Sequence, residues 1–368
     1  MRRAVDVTVM IRDLSAGGGA EISALDLANM LADIGYRVDM LVVNQSGPVE
    51  QRLQASVGLH VLEARGRLSE VLKVRQYLRR RRPGLLIGNL TTGNVVALTA
   101  AMLSWSGTRV IAIERQAVPP LNWPMRRLIV FSVLVPLLYG RAFRVVCVSD
   151  ALRENVERFA RLRRQIKNTV TIYDPIDIKN IREKALAPCD HAWLNKKEVP
   201  VFIMLCRLEE AKGIDVALKA FMKVKVKCSA RLVILGEGSH QARLARLAEQ
   251  LGVADDVDFA GYRLDPYPFL GRSDVLVSAS RIEGFGRTLV EAMALNVPVV
   301  ATDCPVGPAE ILEDGRWGEL VPVDDPNTLS RAMLRALSEP IYGGGRAGDF
   351  DYGAIADAYE KLVKTALK

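Results

Sequence analysis

The sequence is poor in the residues that build metal centres and covalent catalysts. It has three histidines, His60, His191 and His240, scattered without metal-ligand spacing. Five cysteines, Cys147, Cys189, Cys206, Cys228 and Cys304, form no C-x-x-C pair, and three lie in strand-like apolar runs, so all read as reduced thiols. Aromatic residues are few, and the basic residues join neither a stacking platform nor a nucleic-acid-binding motif, so no nucleic-acid partner is expected. No apolar run reaches the roughly 18 residues of a membrane span, and the best candidate, Leu128 to Tyr139, contains Pro136. The opening MRRAVDVTVMIRD lacks a signal peptide's long apolar region and cleavage site, which points to the cytoplasm.

What is present suits a soluble α/β protein of two domains, since 368 residues exceed one typical core. Residues 1–175 hold 25 Lys plus Arg against 14 Asp plus Glu, hence +11; the remainder has 25 against 28, hence −3. A basic first half argues for an anionic partner there. Strands recur near 5–11, 38–43, 59–62, 84–88, 109–113 and 143–148, separated by helical segments, which implies right-handed crossovers and a parallel sheet. The loop after the first strand, Ser15 to Glu21, carries Gly17-Gly18-Gly19 but lacks the full G-x-G-x-x-G spacing. Arg79-Arg80-Arg81-Arg82 and the apolar stretch 124–141, flanked by Arg126, Arg127 and Arg141, together suggest docking on an anionic membrane surface. Asp174-Pro175-Ile176-Asp177 resembles a domain joint, and the glycine-rich 342–348 reads as flexible.

The second half centres on residues 281–312, RIEGFGRTLVEAMALNVPVVATDCPVGPAEIL. Strand, loop, helix and strand follow one another, and Glu283 and Glu291 stand eight residues apart around Gly284-Phe285-Gly286. Glycines admit a ligand to the backbone, and free amides at the helix start favour a phosphate near Arg287, Thr288 and Leu289. Glu291 could then accept from a ribose diol and Glu283 from sugar hydroxyls beyond the phosphates. Two D-x-D triplets, Asp256-Val257-Asp258 and Asp349-Phe350-Asp351, stand apart from this loop, and neither a metal nor a cofactor is expected.

The pattern E-G-F-G-x4-E-A-x-A, then P-V-V-x-T and G-P-x-E-I-L-x-D-G-x-x-G-x-L-V, resembles the donor half of retaining GT-B glycosyltransferases of family four. D-C-P-x-G-P-x-E-I-L is similar to bacterial enzymes that build capsule, exopolysaccharide or lipid-linked oligosaccharides. The resemblance is strong over 200–330 and weak over 1–175. It implies two Rossmann-like domains with parallel sheets facing across a cleft: 1–175 for the acceptor, joined by a terminal helix at 352–367, and 176–345 for the nucleotide sugar. It also implies transfer, without a metal, from a UDP-linked donor to a lipid-linked or polysaccharide acceptor at the inner face of the cell membrane. By the same resemblance Arg207 and Lys212, an R-x4-K-G pair, grip the diphosphate; Gly18, Gly19, Gly236 and Gly238 lie near the donor, and Tyr262 with Arg263 near its base. At Ile113-Glu114-Arg115 many relatives have histidine where this chain has Arg115, which could meet an acceptor phosphate, a sugar hydroxyl or Glu114. Two alternatives are a nucleotide-sugar epimerase on the same fold and a catalytically silent membrane subunit.

Overall fold

The computed structural model describes residues 5–14, 18–116, 133–161 and 168–368. The chain divides into two compact units, Met1–Ile176 with Tyr352–Lys368, and Asp177–Asp351.

The first unit runs β1 (Val7–Asp13), α1 (Gly19–Asp33), β2 (Val38–Gln45), β3 (Gly58–Val61), α2 (Arg67–Arg81), β4 (Leu85–Asn89), α3 (Thr91–Ser104), β5 (Arg109–Glu114), β6 (Arg144–Cys147), α4 (Asp150–Arg161) and β7 (Thr169–Thr171). Its seven strands lie in the order β3-β2-β1-β4-β5-β6-β7, every neighbouring pair parallel. Central strands such as β4, Leu-Leu-Ile-Gly-Asn, are buried throughout, as a sheet covered on both faces requires. The terminal helix Tyr352–Leu367 packs into this unit through the buried Ile355, Tyr359 and Val363. Arg109 Nη1 donates to the carbonyls of Thr365 and Ala366 at 3.1 and 3.0 Å, a cation placed at a helix C-terminus.

The second unit runs α5 (Ile178–Ala185), β8 (Val201–Leu205), α6 (Ile214–Lys225), β9 (Arg231–Leu235), α7 (Gln241–Gln250), β10 (Val257–Gly261), β11 (Val275–Ser278), α8 (Arg287–Ala294), β12 (Val299–Thr302), β13 (Glu319–Val321) and α9 (Pro326–Ser338). Six parallel strands are ordered β10-β9-β8-β11-β12-β13. Helix α6 buries Ile214, Ala217, Leu218 and Phe221, the i, i+3, i+4, i+7 stripe, and Phe221 meets Phe202 of β8 edge to face at 6.3 Å. Asp325 caps α9 by accepting from the amides of Asn327 and Thr328, with Pro326 opening the helix.

The glycine-rich 342–348 segment is packed rather than loose. A Cβ on Gly343 would lie 2.4 Å from Met293 Sδ, and Arg346 donates to the carbonyls of Ile311 and Glu310 at 3.2 and 3.1 Å. At Gly343 and Gly344 glycine serves close approach rather than freedom. Among the described residues no helix is long and apolar enough to cross a membrane. Residues 117–132, which include the first half of the apolar stretch 124–141, and Ser15 to Gly17 of the first loop, lie outside the described residues.

Candidate active site

In each sheet the strand order reverses once, between β1 and β4 in the first and between β8 and β11 in the second. Open parallel sheets bind ligands outside the carboxyl ends of the strands at such a point, because the two adjacent loops diverge there. In the second unit the loops leaving β8 and β11 carry residues 206–213 and 279–286, which hold Arg207, Lys212, Glu283 and the Gly-Phe-Gly turn.

Those two loops are tied to each other. The amide of Arg281 donates to the Ala211 carbonyl at 2.8 Å, and the Arg281 guanidinium pairs with Asp215 at 2.9 Å and Asp324 at 2.7 Å. Gly213 adopts φ +59°, and a Cβ there would stand 2.0 Å from the carbonyl oxygen of Ala279. Only glycine lets the loop after β8 lie this close to the end of β11. Lys212 Nζ consequently reaches Glu283 Oε1 at 2.6 Å, and Ser280 Oγ donates to the same oxygen at 2.6 Å. Burial pulls the Lys212 pKa down, but the charge and hydrogen bond of Glu283 outweigh it and leave the ammonium above its ordinary value. The nearby thiols of Cys206 and Cys304 are both pushed up to about 12, chiefly by burial, so neither is a thiolate near neutral pH.

Arg207 is the more exposed cation, pairing with Glu209 at 2.8 Å. Gly236 and Gly238 have an internal reason to be glycine. A Cβ on Gly236, at φ +140°, would fall 1.9 Å from the Cys206 carbonyl oxygen, and one on Gly238 2.5 Å from that of Leu208. They bring the loop after β9 against the Arg207 loop, where Leu208 N donates to the Glu237 carbonyl at 2.9 Å. Arg263 lies over the Phe269 ring at 5.3 Å and 3.7 Å from Asp190, while Tyr262 precedes it at the end of β10.

At the start of α8, Gly286 takes φ +101°, and Phe285 turns inward to meet Phe350 at 5.5 Å. Gly307, of the G-P-x-E stretch, lies beneath: its Cβ would be 2.1 Å from the Phe285 carbonyl oxygen. Leu289 is core, whereas Thr288 is half-buried at the helix start. Glu291 is buried and accepts from Arg287 Nε at 2.8 Å, with Tyr267 Oη at 3.5 Å. The i, i+4 spacing of Arg287 and Glu291 is the signal of that pair. Ser280, Arg281 and Tyr267, which position these carboxylates and loops, carry no motif of their own.

In the first unit Gly18 caps α1 with ordinary φ, and a Cβ on Gly18 or Gly19 would meet nothing within 4 Å. Among the described residues, packing does not demand glycine at either position. Arg115 is buried at the end of β5 and ion-paired with Asp174, which also accepts from Ser23 Oγ at 2.8 Å. Arg115 Nε and Nη2 have no hydrogen-bond partner among the described residues. Glu114 turns the other way, accepting from Thr91 Oγ1 at 3.0 Å, Asn94 Nδ2 at 3.1 Å and Tyr139 Oη. Burial raises its pKa to about 7 against those donors. Of the alternatives for Arg115, hydrogen bonding to Glu114 is therefore not the one adopted.

The aspartates of the two D-x-D triplets have separate partners: Asp256 pairs with Lys225, Asp258 with His191, Asp349 with Arg346, and Asp351 accepts from the Ile178 amide. Among the described residues no three His, Cys, Asp or Glu side chains converge as metal ligands would.

Two family models match the chain: "Glycosyltransferase Family 4" over residues 17–180 and "Glycosyl transferases group 1" over residues 190–351. A Campylobacter jejuni N-acetylgalactosamine-N,N'-diacetylbacillosaminyl-diphospho-undecaprenol 4-alpha-N-acetylgalactosaminyltransferase is 28% identical over 76% of this chain and 74% of its own length. The lipopolysaccharide core biosynthesis glycosyltransferase LpsE of Rhizobium meliloti is 32% identical over 45% of this chain and 50% of its own. Among solved structures, Anabaena Alr3699/HepE in complex with UDP-glucose superposes with a TM-score of 0.79 at 21% identity, over 98% of this chain and 100% of that one, a likeness of fold.

Proposed function

Because this chain belongs to the GT-B glycosyltransferases of family four, we propose that it transfers a sugar from a UDP-linked donor to a lipid-linked or polysaccharide acceptor in cell-surface glycan assembly, with retention of anomeric configuration. The observation that carries the reading is the convergence of Lys212 and Glu283, from different loops, at the strand-order reversal of the second sheet. Lys212 and Arg207 take the diphosphate, the start of α8 near Thr288 supplies amides to it, and Glu291 reaches the ribose from its pair with Arg287. Glu283 takes a hydroxyl of the transferred sugar. Tyr262 and Arg263 serve the donor's base.

The anomeric carbon–phosphate bond breaks as the acceptor oxygen bonds to that carbon from the same face, and the acceptor's proton passes to the departing phosphate oxygen. Fixed cations stabilise the charge on that oxygen as it develops. The proton's destination is on the substrate, so the protein's task is orientation and charge.

The test is isothermal titration against UDP, GDP and ADP, followed by product analysis with UDP-sugars. Binding confined to UDP and lost in Lys212→Ala, with an axial donor yielding an axial product, is the expected result. Tightest binding to GDP or ADP would overturn the donor assignment, and inversion at the anomeric carbon would overturn the mechanism.

A further inference from the structure

In the first unit the exposed large apolar side chains and the basic residues fall on the same elements. On α2, Leu68, Leu72, Arg75 and Arg79 stand at i, i+4, i+7 and i+11, one stripe of the helix. The stripe's two arginines hold the end of α3: Arg75 Nε donates to the Leu103 carbonyl at 2.9 Å and Arg79 Nε to that of Ser104 at 3.2 Å. That end is apolar and outward, with Met102 and Leu103 exposed and Trp105, in the left-handed region at φ +54°, 88% exposed. A third element joins it. Arg141 Nη1 contacts Met102 Sδ at 3.5 Å, and the helical residues before Arg141 expose Val133, Leu134 and Leu137 while burying Val135, Leu138 and Tyr139.

Along this part of the sequence the charge is almost all of one sign. From residue 71 to 149 the sequence holds 12 Lys plus Arg and one acidic residue, Glu114, which is wholly buried. Of the 25 basic residues in 1–175, 23 are arginine, the side chain whose planar fork matches phosphate. An indole and leucines flanked by arginines, with no exposed carboxylate among them, is the composition that enters the headgroup region of an anionic bilayer. A solvated charge run does not account for a tryptophan that is 88% exposed. Exposed large apolar residues of the second unit, Leu186, Val226, Ile282 and Tyr342, lie on separate segments.

We propose that the end of α3 from Met102 to Trp105, with the Leu68–Leu72 stripe of α2 and the Val133–Leu137 face, is an anionic-membrane docking surface with Trp105 as its anchor. Arg79 and Arg81, from the run that first suggested membrane contact, are already engaged, Arg79 at Ser104 and Arg81 with Asp39 at 3.0 Å. The apolar contact therefore falls at a tip that the arginine run only borders. This assignment deepens the proposed partner, but its measurement does not depend on transfer.

The test is co-sedimentation of the full chain with phosphatidylcholine vesicles with and without phosphatidylglycerol. Trp105→Glu and Leu72→Glu serve as variants, and Tyr342→Glu in the second unit as control. Expected are binding to the anionic vesicles alone, a partition coefficient lowered by about tenfold or more in each first-unit variant, loss at high salt, and no change in the control. Far-ultraviolet circular dichroism and UDP titration report folding and the donor site separately. Wild-type binding to both vesicle types alike, no binding to either, or full binding by Trp105→Glu would overturn the assignment. So would a wild-type dimer in solution that Trp105→Glu dissociates, since the surface would then be an interface between copies.

Discussion

Glu283→Gln separates the two duties assigned to the Lys212–Glu283 pair. In the resting protein the carboxylate stands 2.6 Å from the ammonium. A diphosphate arriving at Lys212 therefore meets a negative charge already in place. Unit charges 4 Å apart interact with about 4 kcal/mol at the effective dielectric near a protein surface. The two side chains remain 20% and 15% exposed, so screening keeps the coupling near the low end of measured close pairs, about 1.5 kcal/mol. Removing the charge while keeping the shape and an acceptor for Ser280 Oγ should lower the Kd for UDP by about tenfold. Turnover on a competent acceptor should move the other way, falling by about a hundredfold or more as the sugar loses a charged contact. Isothermal titration and a product assay read the two effects, with Lys212→Met as the opposing control that weakens UDP. Weaker UDP binding by Glu283→Gln at unchanged Tm would refute the reasoning, because the carboxylate would then be orienting Lys212 for the diphosphate rather than competing with it. Unchanged turnover would remove its role at the sugar.

Two further predictions concern the first unit. Arg115→Met strands the buried Asp174 carboxylate and should cost about 3–5 kcal/mol in urea unfolding, more than half of it recovered by adding Asp174→Asn; no recovery would mean that the ion pair is not what Arg115 contributes. For Glu114 the folded pKa, about 7, lies above the ordinary value of 4.5, so between these values the unfolded chain gives up the proton first and stability falls as pH rises. The loss approaches about 3 kcal/mol and is complete above pH 7 or so, and Glu114→Gln should lack that decline in a pH series of urea unfolding; a parallel decline in the variant would place its cause elsewhere.

The alternation of strands and helices was legible in the sequence because buried parallel strands are short apolar runs and the helices between them carry 3.6-residue stripes, as in β4 and α6. The glycine loops were legible as loops, but the sequence could not tell which glycines answer to packing. Gly213, Gly236, Gly238 and Gly307 are each held against a carbonyl oxygen of another loop, whereas Gly18 and Gly19 meet no such contact among the described residues. The distinction depends on contacts between segments up to 66 residues apart, such as Gly213 and Ala279, and no local spacing encodes it. The tilt of basic charge toward the first half was visible, while the apolar tip at Trp105 was not, because Met102, Leu103 and Trp105 form a patch only once the end of α3 meets α2 and Arg141.

The same limit explains why the charged residues were found but their pairings were not. Reading Lys212 on the phosphate and Glu283 on the sugar treats each as a separate contact, yet they form one ion pair before any ligand arrives. Arg287 and Glu291 are likewise paired and buried within α8. A site holding two internally neutralised pairs can fold without its substrate, since neither cation is left desolvated alone. Donor binding must then rearrange those pairs rather than fill a vacancy, and the cost of that exchange sets its affinity. This is why the variant that removes a negative charge, and not the one that removes a positive charge, should bind the nucleotide more tightly than the native protein does.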